Sequence, residues 1–275
     1  MPKGNFDEMR KTGIAKVIEV INPLTVKLED GRFIHLAGLD YPDLDYYEPG
    51  NVSVLTQKIL NDFLKNKDVA IHQTPSANEG RVNRMGHHIA HLVRIEDDVW
   101  AQGLVLSLGL ARVRTTAYNN DMAMQMLSLE NEVRQKKSGI WDMEDYQILT
   151  PDNAAEKIGS FQIVEGTVHN VSRQNNTLYL NFGNNWREDF TISISSGDLR
   201  KFSKKDIDPQ RWGGTPIRVR GWLESYNGPY MKIDHPERFQ ILGTEEKPKV
   251  DDKAETPSAP PKNVKKGNAL PNFNQ

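Results

Sequence analysis

Three histidines fall within five residues at His87-His88-Ile89-Ala90-His91, with His35, Asp40 and Asp43 upstream. Imidazole nitrogens and carboxylate oxygens together suit a transition metal such as zinc. His35, His87, Asp40 and Asp43 around one cleft would make a metal-dependent hydrolytic site. The histidine cluster does not converge by itself: in a strand, His87 and His91 share one face and His88 takes the other. The chain has no cysteine, which excludes thiolate nucleophiles, disulfides and cysteine zinc sites.

A second set of residues suits binding. Arg218 and Arg220 alternate with Ile217, Val219 and Gly221, so both guanidinium groups lie on one strand face. Tyr179 alternates with Leu178 and Leu180 and is expected to point away from the core. Together with Trp186, Arg187 and Tyr230 these residues offer rings for base stacking and charges for phosphates, as single-stranded DNA or RNA requires. The competing reading places the arginines in ordinary salt bridges. The 275 residues carry a net charge of -2, which rules out a globally basic nucleic-acid coat but not a local basic groove.

These side chains need elements to hold them. Residues 14–20, 25–29 and 33–36 are short and rich in β-branched or aromatic residues, and Asp30-Gly31 reads as a hairpin turn. Residues 54–64 have helical spacing of apolar positions. Strands are expected at 69–72 and 88–95, a buried helix at 99–108 and a longer helix at 121–137, ended by Gly139. The later segment is mostly β, with strands at 162–171, 177–182, 190–194, 217–225 and 230–233. A polar, helix-prone stretch at 196–209 separates its third and fourth strands. The resulting division is a first domain over 1–143, a linker over 144–158, a second domain over 159–243 and a tail over 244–275. The tail is rich in proline and charge, so disorder is expected there.

The first segment resembles the staphylococcal nuclease-like (thermonuclease) family over residues 13–141. The resemblance rests on Leu36-Ala37-Gly38-Leu39-Asp40-Tyr41-Pro42-Asp43, on Ile21-Asn22-Pro23-Leu24-Thr25-Val26 and on Asn83-Arg84-Met85-Gly86-His87. Ser107-Leu108-Gly109-Leu110-Ala111-Arg112-Val113 and Ser138-Gly139-Ile140-Trp141 complete it. The resemblance implies a site in which calcium and two arginines stabilise a phosphorane-like transition state while a glutamate assists the attacking water. This sequence departs from it at each part. Leu24 stands at a calcium-ligand aspartate position and offers no oxygen, whereas Asp40 remains as a ligand candidate. Asp43 takes the glutamate position with one methylene fewer, and a misplacement of about 1 Å can cost about 100-fold. His35 and His87 (or His88, if the match slips by one) take the arginine positions, where imidazole is mostly neutral at pH 7.

The second segment looks like an OB-fold nucleic-acid-binding module. The residues that carry this are Leu178-Tyr179-Leu180-Asn181-Phe182-Gly183, Trp186-Arg187, Asp189-Phe190-Thr191 and Val219-Arg220-Gly221-Trp222. The expected fold is therefore α+β followed by β: a staphylococcal nuclease-like barrel with helices, then a five-stranded OB-like barrel and a disordered tail. The expected function is that of a catalytically degenerate nuclease-like protein, without a cofactor, that binds single-stranded nucleic acid and/or a protein partner. Two alternatives stay open. One is an active metal-dependent phosphodiesterase using calcium or zinc at a His/Asp-altered site; the other is a structural subunit of a protein assembly. No run of about 18 apolar residues suggests a transmembrane helix. The start carries no apolar run of signal-peptide length. A cytoplasmic protein fits this, and so does a processed periplasmic or secreted chain.

Overall fold

The computed structural model describes residues 1–45, 47–185 and 187–243. Tyr46, Trp186 and the expected tail at 244–275 lie outside the described residues. The fold is mixed α and β, with few helices.

The first half runs β1 (Arg10–Asn22), β2 (Thr25–Leu28), β3 (Phe33–Leu36), β4 (Leu39–Asp40), α1 (Asn51–Leu64), β5 (Asp68–Gln73), β6 (His88–Arg94), β7 (Val99–Trp100), α2 (Ala101–Ser107), β8 (Arg112–Val113) and α3 (Ala123–Gln135). β1 pairs with β2 on one side and β5 on the other. Its register slips between Lys11 and Gly13 and again between Val17 and Glu19. Such bulges bend a strand and increase its twist, so one long strand serves both sides of a curled sheet. The parallel pairing of β3 with β6 closes β1, β2, β3, β5 and β6 into a five-stranded barrel. Val17, Val26, Ile34, Leu36, Ile71 and Leu92 fill it, and Leu60 of α1, Leu106 of α2 and Met126 of α3 extend the same core. In β3 the period of two sends Ile34 and Leu36 inward and leaves Phe33 and His35 on the outer face.

The second half runs β9 (Phe161–Thr167), β10 (Asn170–Gln174), β11 (Thr177–Asn181), β12 (Thr191–Ser195), α4 (Ser196–Ser203), β13 (Pro216–Trp222), β14 (Glu224–Ser225), β15 (Pro229–Lys232) and β16 (Phe239–Ile241). One sheet has the order β10-β11-β12-β15-β14 and the other β16-β13-β9. β12 and β15 run parallel. The two sheets enclose Leu178, Leu180, Phe190, Ile192, Val219 and Met231. Ser195 caps α4, its hydroxyl accepting from the Asp198 backbone N–H at 3.1 Å.

Several elements differ from expectation. Residues 99–108 form a two-residue strand and then a seven-residue helix, because Val99 and Trp100 first pair with Arg94 and Val93. The expected strand 217–225 is split at Leu223, which turns into the core. The stretch 144–158, read as a linker, carries buried Tyr146, Leu149 and Ala154. Its Leu149 exchanges backbone hydrogen bonds with Ile163 and Glu165.

The two halves share a polar seam. Arg220 is buried and paired with buried Glu130 of α3 at 2.7 Å, and it also donates to the Val113 carbonyl at 3.0 Å. Thr115 meets His235 at 2.8 Å, and Asn120 donates to Glu237 at 2.7 Å. An apolar cluster of Val133, Ile140, Trp141, Tyr146 and Ile163 lies beside these bonds. Among the described residues, no helix is long and apolar enough to cross a membrane.

Candidate functional site

The barrel residues singled out from sequence come together only in part. His35 sits half-buried on the outer face of β3, opposite Ile89 of β6. Burial holds its imidazole below the ordinary range, and the positive charges of His87 and Arg114 push it the same way. His87 stacks on Phe33, with ring centres 5.3 Å apart and planes at 25°. Asn83 sets this loop, accepting from the His87 backbone N–H at 3.0 Å.

The two carboxylates are already engaged. Asp40 is buried at the β4–β8 pairing, where it faces Arg112. Arg112 donates to its Oδ2 from Nη2 at 2.8 Å and from Nε at 3.2 Å, and Arg114 reaches Oδ1 at 3.3 Å. Asp43 holds the start of α1. Its Oδ2 accepts from the Val52 and Ser53 backbone N–H groups at 2.9 and 3.2 Å, and its Oδ1 accepts from the Ser53 hydroxyl at 2.7 Å. Gly50 at the N-cap supplies no side chain, so a carboxylate from upstream satisfies these orphan donors.

The expected metal roles do not fit these positions. Calcium needs six to eight oxygen ligands, yet Leu24 packs against the barrel core and both Asp40 oxygens face guanidinium groups. The histidine triplet also diverges. His91 is buried between Phe6 and Trp100, and the Trp100 indole N–H donates to its Nδ1 at 3.2 Å. Burial pushes His91 down to about 3, with the charge of His72 adding to the effect. Four residues of strand put it about 13 Å from His87. Among the described residues, no group of three or more His, Asp or Glu side chains could hold a metal ion.

The expected binding residues also divide. Arg218 and Arg220 are buried rather than displayed. Arg218 is paired with Glu165 at 2.6 Å and also donates to Asn131 and Gln240, while Arg220 meets Glu130. Both guanidinium groups do share one strand face, but the first half covers that face. They therefore bind the two halves together and present no charge to a ligand. Arg187 is exposed in the loop before β12. Trp222, at the end of the same strand as the arginines, is 47% exposed.

Tyr179 and Tyr230 do line a cleft, of about 450 Å³, on the outer face of the five-stranded sheet. The alternation that sends Leu178, Leu180, Ile192 and Ile194 inward builds it. One cross-strand row reads Asn170, Asn181, Thr191 and Tyr230; the next reads Ser172, Tyr179, Ser193 and Lys232. Gln174 and Asn175 close one end, and Tyr226 and Asn227 the other. The second end is a tight hairpin, with Asn227 and Gly228 at φ 50° and 96° and the Tyr226 N–H donating to the Gly228 carbonyl at 3.0 Å. A Cβ on Gly228 would collide with the Glu188 carbonyl. Tyr226 packs near Tyr230, with ring centres 5.4 Å apart. Burial raises the Tyr230 phenol, which keeps it a neutral donor and acceptor.

Among the described residues the lining is tyrosines, amides and small hydroxyls, with the Lys232 ammonium 5.9 Å from the centre of the Tyr230 ring. Such a surface makes neutral hydrogen bonds and stacks planar rings. Tyr226 is not among the residues singled out from sequence, because it lies between the expected strands 217–225 and 230–233, next to the turn-forming Asn227-Gly228-Pro229. Its signal was the spacing to Tyr230 across that hairpin. No family model and no curated protein matches the chain.

Proposed function

We propose that this chain is a nuclease-like protein with a degenerate hydrolytic site, which binds single-stranded nucleic acid on the tyrosine-lined face of its second half. The observation that carries the reading is the cleft and its place in the topology. Strand β12 parallel to β15, a helix between β12 and β13, and β9 paired with β13 fit an OB-like barrel. Barrels of that kind bind oligonucleotides or oligosaccharides on their second and third strands and the adjoining loops. Here those parts are β11, β12, the 174–176 turn and the 226–228 turn, and the cleft lies on all four.

Degeneracy is supported by the carboxylates. Asp40 serves buried Arg112 and exposed Arg114, and Asp43 serves α1, so neither is open to a metal ion or an attacking water. His35 is held towards its neutral form, in which it adds no charge for a phosphorane.

The test uses labelled oligothymidylate and oligouridylate, read by anisotropy and on a denaturing gel with calcium, zinc, manganese or chelator. We expect binding with intact substrate in every lane, and roughly tenfold or greater weakening in Tyr179→Ala or Tyr226→Ala, as loss of one stacked base implies. Metal-dependent shortening that disappears in His35→Ala would overturn the degenerate-site reading in favour of an altered phosphodiesterase. Absence of binding to any oligonucleotide would remove the nucleic-acid reading and favour an assembly subunit.

A further inference from the structure

Asp40 carries one negative charge and faces two guanidinium groups. Arg112 takes the better share, with two N–H contacts to one carboxylate oxygen, and is completed by the Phe161 carbonyl at 2.6 Å and Gln162 at 3.3 Å. Arg114 keeps a single contact at 3.3 Å, and its side chain is 44% exposed. Both arginines reach the same carboxylate because the period of two puts them on one side of the strand, with Val113 on the other. The nearby carboxylate of Asp43 is taken by the N-terminus of α1. Arg238, the next guanidinium, has Asp234 at 3.5 Å. One positive charge is left over, and it lies at the solvent side of Arg114.

That charge has an aromatic backing contributed by the second half. The Arg114 guanidinium lies 5.0 Å from the centre of the Phe161 ring and 5.9 Å from that of Trp222. Phe161 and Trp222 are register partners on β9 and β13. His35 adjoins Arg114 on the barrel side. From Trp222 the chain continues through Leu223 and the short β14 to Tyr226 at the mouth of the tyrosine-lined cleft. Leu223 turns into the core, so Trp222, Glu224 and Tyr226 fall on the outward side. The one acid on this path, Glu224, is paired with Lys232 at 2.7 Å.

We propose that Arg114 and Trp222 form a second nucleic-acid contact, in which the guanidinium takes a backbone phosphate and the exposed indole stacks a base. A single strand lying in the tyrosine-lined cleft would continue over Trp222 onto the barrel. The cleft's tyrosines and amides read bases and sugars; the cation beside them, Lys232, is paired with Glu224, whereas Arg114 shares its carboxylate with Arg112. This rests on the reading that the cleft binds single-stranded nucleic acid, and it adds the site that holds the phosphate.

The experiment compares a four-nucleotide with a fifteen-nucleotide oligothymidylate, across a salt series, on the intact protein and on Arg114→Gln, Trp222→Leu and Tyr226→Ala. Trp222 is exposed, so its replacement leaves the core unchanged; thermal unfolding checks that each variant is folded. The expected result is roughly tenfold weaker binding of the long oligonucleotide in Arg114→Gln and in Trp222→Leu, with the short one unaffected. For Arg114→Gln the slope of log affinity against log salt should also fall by about 0.7, the loss of one phosphate contact. Long-oligonucleotide affinity and salt slope unchanged in both variants would overturn the proposal, while a loss in Tyr226→Ala alone would leave the cleft reading standing. The opposite pattern, loss in the Arg114 and Trp222 variants with none in Tyr226→Ala, would support this contact and remove the cleft.

Discussion

Asp40 shows how one residue can keep its expected chemistry and lose its expected role. From sequence it is an oxygen ligand next to a phosphate site; in the structure it neutralises a buried arginine. The partner, Arg112, lies on a different strand, and nothing local to Asp40 announces it. Replacing Asp40 by Ala strands a buried guanidinium, and removal of one member of a buried pair costs about 3–5 kcal/mol. Urea unfolding of Asp40→Ala should show that loss, whereas an oxygen ligand with no structural role would give almost none. His91 makes a second residue-scale prediction. Its folded value of about 3 lies below the ordinary 6.5, so between those pH values the unfolded chain binds a proton that the folded chain does not. Stability must therefore fall as pH drops below 6.5, by at most about 1.4 kcal/mol per pH unit from this group. His91→Gln keeps an acceptor for the Trp100 indole N–H and removes the titration. Its denaturation midpoint should depend less steeply on pH between 6.5 and 4, and an unchanged slope would show that other groups carry the acid sensitivity.

At the scale of elements, the period of two was readable and long-range completion was not. The alternation in 177–181 is plain in the residues, and it places Tyr179 on the outer face as expected; the same period in 33–36 puts His35 on the outer face of β3. Residues 99–108 misled because a short apolar run reads equally as strand or helix. Helix α1 was also readable from its apolar spacing, but its start was not. Its cap comes from Asp43, nine positions before the first residue it bonds, where the usual cap position is a glycine. The same side chain that sequence assigns to a water-activating role thus serves to start a helix. Asp43→Ala should lower stability by about 1–2 kcal/mol, the upper part of the range for a lost cap. Asp43→Asn should recover part of it, since an amide oxygen still accepts from the Val52 and Ser53 N–H groups. Thermal unfolding of the two variants distinguishes this from a functional carboxylate, whose loss would change activity and leave stability alone.

Across the whole molecule, the halves were legible as two patterns in the sequence, but their junction was not. Arg218 and Arg220 look like a cationic strand face when only their own segment is in view. What covers them is α3, whose Glu130 lies in the other half, and a single sequence carries no sign of that pairing. The consequence is mechanical. Arg220 and Glu130 are each almost fully buried, and the pair is completed by the Val113 carbonyl and Gln240. Opening the halves would return both charges to water, but removing one of them leaves the other unpaired inside a closed seam. Glu130→Ala should therefore cost about 3–5 kcal/mol, and the cost should be recovered by separating the halves rather than by unfolding either. Calorimetry should then show one cooperative transition in the original chain and two in Glu130→Ala. In the variant, the second half's transition, reported by Trp212 packed against Phe202 and Phe239, should separate from that of the barrel, reported by Trp100 beside His91. A single transition, merely shifted down, would mean that the apolar cluster around Trp141 and Ile163 holds the halves together without the ion pair.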